Sequence, residues 1–326
     1  MLQISITDGN SESKGNGAVE NSTAPEQRTL DTAWNLKDIR SRFPTDLTGH
    51  VGRGGEDPIT SGSYGDIYRG TLRVAVKAIR TYSANDDDHA HKQKRLRREI
   101  RVWLNLDHIN VLPLFGTTMG FGRFPAMVCP WLEDGTLLSY LERWDHSLTT
   151  GQRLVLLGDI AAGLQYLHSQ SVVHGDLSGS NVLIHGDGRA CIADFGLSTL
   201  LTALGGSTFA TSFQARGTLR WAAPELLNFE IPLPEDEENL PQVVPTPGSD
   251  IYSFGGIMLQ VLTRKVPYHY YSRDESVFLA RSRGQIPKRP DQHLVTDRQW
   301  AFIERCWASV ESRPSSDEII EFTRIH

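Results

Sequence analysis

The chain has 326 residues, 39% of them hydrophobic, and its 33 Lys plus Arg against 39 Asp plus Glu give a formal net charge of −6. That length exceeds the roughly 250–300 residues at which a single core stops growing, so two lobes or domains are expected. The acidic balance leaves no overall electrostatic footprint for nucleic acid or anionic lipid. Three cysteines (Cys129, Cys191, Cys306), odd in number and without CxxC spacing, argue against a disulfide framework or a zinc site and point to a reducing, cytoplasmic setting.

Residues 1–30 are rich in Ser, Asn, Gly, Glu and Thr with no apolar period, and are expected to be disordered. They lack the basic and apolar regions of a secretory signal. Over 31–50 a short helix and linker are expected: Asp31 is placed to cap a turn in which Leu36, Ile39 and Phe43 share a face until Pro44 ends it.

From Val51 to Leu132 the pattern favours short strands. A Gly/Ser turn, Gly62-Ser63-Tyr64-Gly65, precedes the alternating run Leu72-Arg73-Val74-Ala75-Val76-Lys77, and one helix is expected over roughly Lys92 to Leu106. By itself such a turn is more often just a hairpin. The helix carries Lys92, Lys94, Arg95, Arg97, Arg98 and Arg101, a run that reads as a solvated face or as a docking face for an acidic partner. From Glu133 onward helices dominate, among them a long amphipathic one ending near His168. The longest apolar segment, Ile251 to Leu262, is broken by Gly255, Gly256 and Gln260 and falls short of the ~20 apolar residues of a membrane helix, so it is read as a buried core helix. The last helix has a capping box, Ser315 with Glu318, and is expected to bury Ile319, Ile320 and Phe322. The fold class is therefore α+β with two lobes, 51–132 and 133–326.

Two short motifs carry chemistry. His174-Gly175-Asp176-Leu177-Ser178-Gly179-Ser180-Asn181 is followed, after a strand-like Val182-Leu183-Ile184, by Asp194-Phe195-Gly196. Either alone arises easily by chance; both in this order do not. Together with Lys77 in its strand and Gly217-Thr218-Leu219-Arg220-Trp221-Ala222-Ala223-Pro224-Glu225 further on, the chain resembles a protein kinase domain over about 51–326. The last motif is similar to that of the tyrosine-kinase-like Ser/Thr kinases, and the HGDL form resembles the short kinases of this group found in mushroom-forming fungi.

The resemblance implies a bilobal fold and transfer of the γ-phosphate of ATP to Ser/Thr hydroxyls of protein substrates, with Mg2+ as the metal. It implies Asp176 as the residue that orients the acceptor hydroxyl, and Asn181 and Asp194 as metal ligands. Lys77 would bind the α and β phosphates and pair with a helical glutamate, assigned to Glu99, for which the alternative is an ordinary i,i+4 surface pair. Gly62 and Gly65 would cover the phosphates, although Thr60 stands where the first loop glycine is usual. Ile59, Ile67, Ala75 and Leu183 would sandwich the adenine, with Pro130, Leu132 and Thr136 along the hinge and Cys129 at the gatekeeper position; each apolar residue reads equally as plain core. Phe195, His174, Trp103 and Leu114 resemble the family's internal hydrophobic spine. Asp250 would brace the catalytic loop, and Arg313 would pair with Glu225.

Three departures stand out. Gly175 replaces the arginine that usually binds a phosphorylated activation loop, which implies activity independent of that switch. Ser178 replaces the lysine usual in Ser/Thr kinases, so an ATP-binding pseudokinase acting as scaffold is the alternative to an active enzyme. Between Glu225 and Asp250 lies an insertion with Pro232, Pro234, Glu235-Asp236-Glu237-Glu238, Pro241, Pro245 and Pro247, read as a mobile surface loop that either recruits a basic partner or has no role. The sequence fixes neither the substrate nor the oligomeric state.

Overall fold

The computed structural model describes residues 45–52, 57–62, 65–69, 74–79, 89–122, 124–196, 213, 217–227, 244–290 and 294–325. The stretches expected to be disordered (1–30) and helical (Asp31 to Phe43) lie outside them, as does most of the acidic, proline-bearing insertion.

Five short strands form one antiparallel sheet in the order β1-β2-β3-β5-β4: β1 (Thr60–Gly62), β2 (Gly65–Arg69), β3 (Val74–Ile79), β4 (Gly116–Thr118) and β5 (Ala126–Pro130). Strand alternation divides the sheet's two faces. Val74, Val76, Ala78, Ala126 and Val128 pack with Leu47, Val51 and Phe121 into a small core of their own. Ala75 pairs with Cys129, and Lys77 pairs with both Ile67 and Met127, so these residues occupy the other face, toward the second lobe. One helix, α1 (His89–Leu104), crosses this side. It starts and stops two or three residues earlier than periodicity alone suggests.

The sheet also takes up residues that sequence reasoning leaves in a linker. Leu47 donates to Thr117 O (2.7 Å) and Thr117 to Thr45 O (2.8 Å), a parallel bridge that extends the β4 edge. Gly116 permits the approach, since a Cβ there would meet Thr45 O at 2.4 Å. The first lobe thus reaches back at least to Thr45, and 45–50 is not helical.

The second lobe is built of α2 (Leu137–Trp144), α3 (Thr150–Ser169), α4 (Pro247–Thr263), α5 (Asp274–Ser282), α6 (Asp297–Cys306) and α7 (Ser316–Ile325), with a two-stranded sheet of β6 (Val182–Ile184) and β7 (Ala190–Ile192) at its upper edge. Pro247 and a reciprocal Thr246–Ser249 capping box start α4. Every residue of α4 from Ser249 to Thr263 is buried, the pattern of a helix enclosed on all sides. Its glycines allow that: a Cβ at Gly255 would meet Cys306 Cβ at 2.8 Å, and one at Gly256 would meet Trp221 Cδ1 at 2.8 Å. The amphipathic helix expected here forms as α3, and its buried face is broad. Leu156, Leu157, Asp159, Ile160, Ala161, Gly163, Leu164 and Leu167 are all buried, and Asp159 is satisfied there by Arg189 Nε (2.7 Å) and the amide of Ala190 (3.0 Å). On α7 the capping box is present, with Ile319 and Phe322 buried and Ile320 half-buried. Among the described residues no helix is long and apolar enough to cross a membrane.

Candidate active site

The loop before β6 is held from below by one carboxylate. Asp250, in the first turn of α4 and 1% exposed, accepts the amides of His174 (2.8 Å) and Gly175 (2.9 Å) and faces His168 Nε2 at 2.9 Å. Gly175 has φ +76, a left-handed conformation that glycine adopts without strain. The His174 ring is fully buried; its Nδ1 accepts the amide of Asp176 (3.2 Å) and its Nε2 lies 3.0 Å from Ala193 O. This fixes the imidazole tautomer, with the proton on Nε2. Asp176 therefore sits on a loop whose backbone is pinned at both preceding residues.

Asn181 follows at the start of the hairpin. Its Nδ2 donates to Asp176 O at 2.8 Å, and its own carbonyl accepts Ala193 N at 2.8 Å. With the amide nitrogen so engaged, the Oδ1 is left as an acceptor. The same β6–β7 register brings the chain after Ile192 beside Asn181, so Asp194 emerges at the same end of the hairpin. Asp194 has φ +61, a strained geometry for a residue with a Cβ, and its carboxylate pairs with Lys77 Nζ.

Phe195 turns the other way. It is buried, and its ring meets the edge of Trp103 at 4.8 Å and 62°. Trp103 Nε1 donates to Leu112 O (2.8 Å), and Leu112 N donates to Ile192 O (2.8 Å), so the α1 helix is tied to the strand that leads into Asp194. His174 and Leu114, also expected along this spine, are fully buried.

The sheet side is more open. β1 and β2 form a hairpin in which Gly62 pairs with Gly65 and Thr60 with Ile67. Ile67 and Ala75 are half-buried, Leu183 and Leu132 pack on the rim of the main core, and Ile59 is 54% exposed. Such exposure suits the walls of an open cleft rather than core. Pro130 is the last residue of β5; Thr136 caps α2 through Ser139 N (3.2 Å) and bridges to Leu183. Cys129 is buried, and burial pushes its thiol far up. Glu99 lies within α1, four residues before Trp103, but its side chain is outside the described residues.

Sequence reasoning also expected Glu225 and Arg313 to pair; they do so through two contacts, 2.5 and 2.9 Å, with the guanidinium 5.1 Å over Tyr252. It read Gln260 only as a break in the apolar run of α4; buried there, its Oε1 would lie 2.5 Å from a Cβ at Gly179. It missed Arg281 of α5, whose terminal nitrogens donate to the carbonyls of Leu219 and Ala222 and which no motif marks.

Oxygen donors from Asn181 and Asp194 suit a small hard cation. Among the described residues no group of three or more His, Cys, Asp or Glu forms a self-sufficient metal cage. A metal here would need oxygens from a bound phosphate or water to complete its shell, as Mg2+ commonly does.

The model of the family described as protein tyrosine and serine/threonine kinase matches residues 55–323. Similar proteins include the RAF proto-oncogene serine/threonine-protein kinase of Xenopus laevis, 29% identical over 232 residues, covering 70% of this chain and 34% of that protein. The serine/threonine/tyrosine-protein kinase HT1 of Arabidopsis thaliana is 29% identical over 306 residues, 90% of this chain and 71% of HT1. The serine/threonine-protein kinase TNNI3K of Mus musculus is 30% identical over 265 residues, 80% of this chain and 30% of its own length. For RAF and TNNI3K the chain thus spans about a third of the relative's length. The fold, the ordered motifs and the match over nearly the whole described chain agree: this chain belongs to the protein tyrosine and serine/threonine kinase family, with tyrosine-kinase-like Ser/Thr kinases among its relatives.

Proposed function

We propose that the chain transfers the γ-phosphoryl group of ATP to Ser/Thr hydroxyls of protein substrates. The observation that carries this reading is the convergence of Lys77 and Asp194 across the cleft, beside the loop on which Asn181 is hydrogen-bonded to the carbonyl of Asp176. In this reading Lys77 leaves Asp194 for the α and β phosphates when ATP enters. Gly62 and Gly65 let the β1–β2 backbone approach the phosphates without a Cβ in the way. Ile67, Ala75 and Leu183 cover the adenine, with Ile59 closing its exposed edge, and Pro130, Leu132 and Thr136 line the hinge side. Asp176 orients the acceptor hydroxyl and takes its proton as the new O–P bond forms and the bond to the β-phosphate oxygen breaks. Asn181 and Asp194 would hold Mg2+, which supplies neutralisation of the phosphate charge. Glu99, one turn before Trp103 on α1, would support Lys77. Three buried, unpaired cysteines support a cytoplasmic setting.

One observation favours a second reading, a nucleotide-binding pseudokinase: position 178 carries no cation, and the Ser178 side chain is fully enclosed. Radiolabelled ATP with a generic protein acceptor separates the two. Transfer by the native chain that falls by about 10²-fold or more in Asp176→Asn supports the enzyme. Mg-ATP binding without any transfer supports the scaffold.

A further inference from the structure

Helix α1 has two unlike faces. Leu96, Ile100 and Trp103 are buried on one of them, Trp103 against Phe195. Lys94, Arg97, Arg98 and Arg101 are exposed, and their i, i+3, i+4, i+7 spacing places all four on the opposite face, within an arc of about 100°. At 1.5 Å of rise per residue they form a stripe about 10 Å long.

Among the described residues none of the four pairs with a carboxylate, whereas Arg153, Arg189, Arg220, Arg289, Arg305 and Arg313 each hold an aspartate or glutamate. The stripe also works against its own helix. Lys94 faces Arg97 and Arg98, and Arg101 faces the same two, at the three- and four-residue spacings where like charges repel. No acidic residue stands in the first turn to complement the positive end of the helix dipole. A face that served only to solvate the helix would gain from alternating signs, because opposite charges at these spacings add stability. Instead a chain of net charge −6 gathers four cations on one exposed face.

The length of the stripe and the charge of the chain select the occupant. An anionic membrane or a long nucleic acid presents charge over many Debye lengths, so it meets the field of the whole acidic protein, which repels it. A short acidic segment meets only the charges within about a Debye length, ~8–10 Å, close to the length of the stripe.

We infer that the Lys94–Arg101 face of α1 docks an acidic polypeptide segment, whose carboxylates supply the ion pairs that this face lacks. The inference does not depend on phosphoryl transfer. It places the partner on the helix that backs the candidate site, since Trp103 on the inner face donates to Leu112 O, and Leu112 N to Ile192 O, two residues before Asp194.

Fluorescein-labelled octaglutamate is the probe, titrated with the full chain and read by fluorescence anisotropy. The native chain is expected to bind it, about threefold or more weakly when salt is raised from about 50 to about 150 mM. Arg97→Gln/Arg98→Gln and Lys94→Gln/Arg101→Gln should each weaken binding about fivefold or more. Lys265→Gln/Arg298→Gln, which removes the same charge from exposed positions of the second lobe, should change it by less than about twofold. Both stripe variants should keep or raise the unfolding midpoint, because each removes like-charge neighbours. A lowered midpoint would mean that the cations serve the fold, and it would overturn the proposal. So would a control that loses binding as much as the stripe variants, or no binding at the lower salt. A phosphatidylserine vesicle or a thymidine oligonucleotide that displaces the peptide at an equal or lower concentration of negative charge overturns the choice of a polypeptide.

Discussion

Lys77 of the five-stranded sheet and Asp194 of the helical lobe are bound to each other as an ion pair, with side chains only 12% and 19% exposed. The cation proposed for phosphate and the carboxylate proposed for metal thus neutralise one another until nucleotide arrives. In the proposed reaction Mg-ATP would separate them, offering a phosphate to one and a cation to the other.

A thermal shift with Mg-ATP is therefore expected in the native chain and should shrink by at least about half in Asp194→Asn and in Lys77→Met, since each removes one of the two new partners. Equal shifts in native and variant protein, or no shift in either, would overturn the assignment of both residues. Differential scanning fluorimetry across a magnesium series measures it.

Asp250 supplies a second test. Its carboxylate serves three donors, and the carboxamide of Asn offers only one acceptor oxygen. Asp250→Asn leaves at least one buried N–H unpaired, a loss of about 1–3 kcal/mol. Because the orphaned amide lies within two residues of Asp176, kcat should fall beyond what the fraction unfolded explains. Urea unfolding beside initial rates tests this, and full activity in the folded variant would show that the brace is dispensable.

Much of this site was legible because its residues lie close in sequence and act through local geometry: the run His174–Asn181 and the Asp194–Gly196 turn fix one hairpin. Resemblance extended that to the long-range pairs Asp250 with the loop amides and Glu225 with Arg313, both present. Contacts outside any motif were not legible. Arg281 meets Leu219 from 62 residues away, and no motif marks it. The packing of Thr45–Val51 on β4 depends on Gly116, whose role appears only once the two chains approach. On α3 the apolar period located the buried face but not Asp159 within it, whose burial depends on Arg189 and the amide of Ala190.

The cysteines predict a pH effect. Burial drives the thiols of Cys129, Cys191 and Cys306 well above the ordinary range. A group whose folded pKa is raised gives stability that is complete below its unfolded pKa and is lost above it. Unfolding should therefore grow easier above the unfolded thiol pKa of about 8.5, by up to about 1.4 kcal/mol per pH unit for each thiol. Native protein should also resist a thiol reagent at pH 8 until denaturant is added. Rapid labelling of any one cysteine in the folded chain would contradict its burial.

Activity should be insensitive to phosphorylation of the activation segment. Gly175 has no side chain to bind a phosphate, and its amide is already committed to Asp250. The hydroxyls in question, Ser198, Thr199, Thr202, Ser207, Thr208, Thr211 and Ser212, lie outside the described residues. Phosphatase treatment is expected to change kcat by less than about twofold, where removal of a true phosphate–arginine switch typically breaks one to three charge-assisted hydrogen bonds. A large loss, reproduced by alanine at one of these sites, would mean that another cation does the work of the missing arginine.

Ser178 gives the sharpest test, because its environment separates structure from chemistry. The side chain is fully buried and its Oγ has no hydrogen-bond partner among the described residues, while Gly179 beside it is closed off by Gln260. A hydroxyl that has been taken out of water without a partner destabilises the fold, so Ser178→Ala is expected to leave the unfolding midpoint unchanged or raise it, by up to about 1–2 kcal/mol. If the hydroxyl takes no part in transfer, kcat should stay within about twofold. If it swings to the γ-phosphate once ATP is bound, standing in for the absent lysine, kcat should drop about tenfold or more while the KM for ATP moves less, since such a contact strengthens mainly in the transition state. Stability and rate measured on the same preparation separate the cases: a more stable, equally active variant makes Ser178 a silent replacement, and a more stable but slower one makes it part of the site.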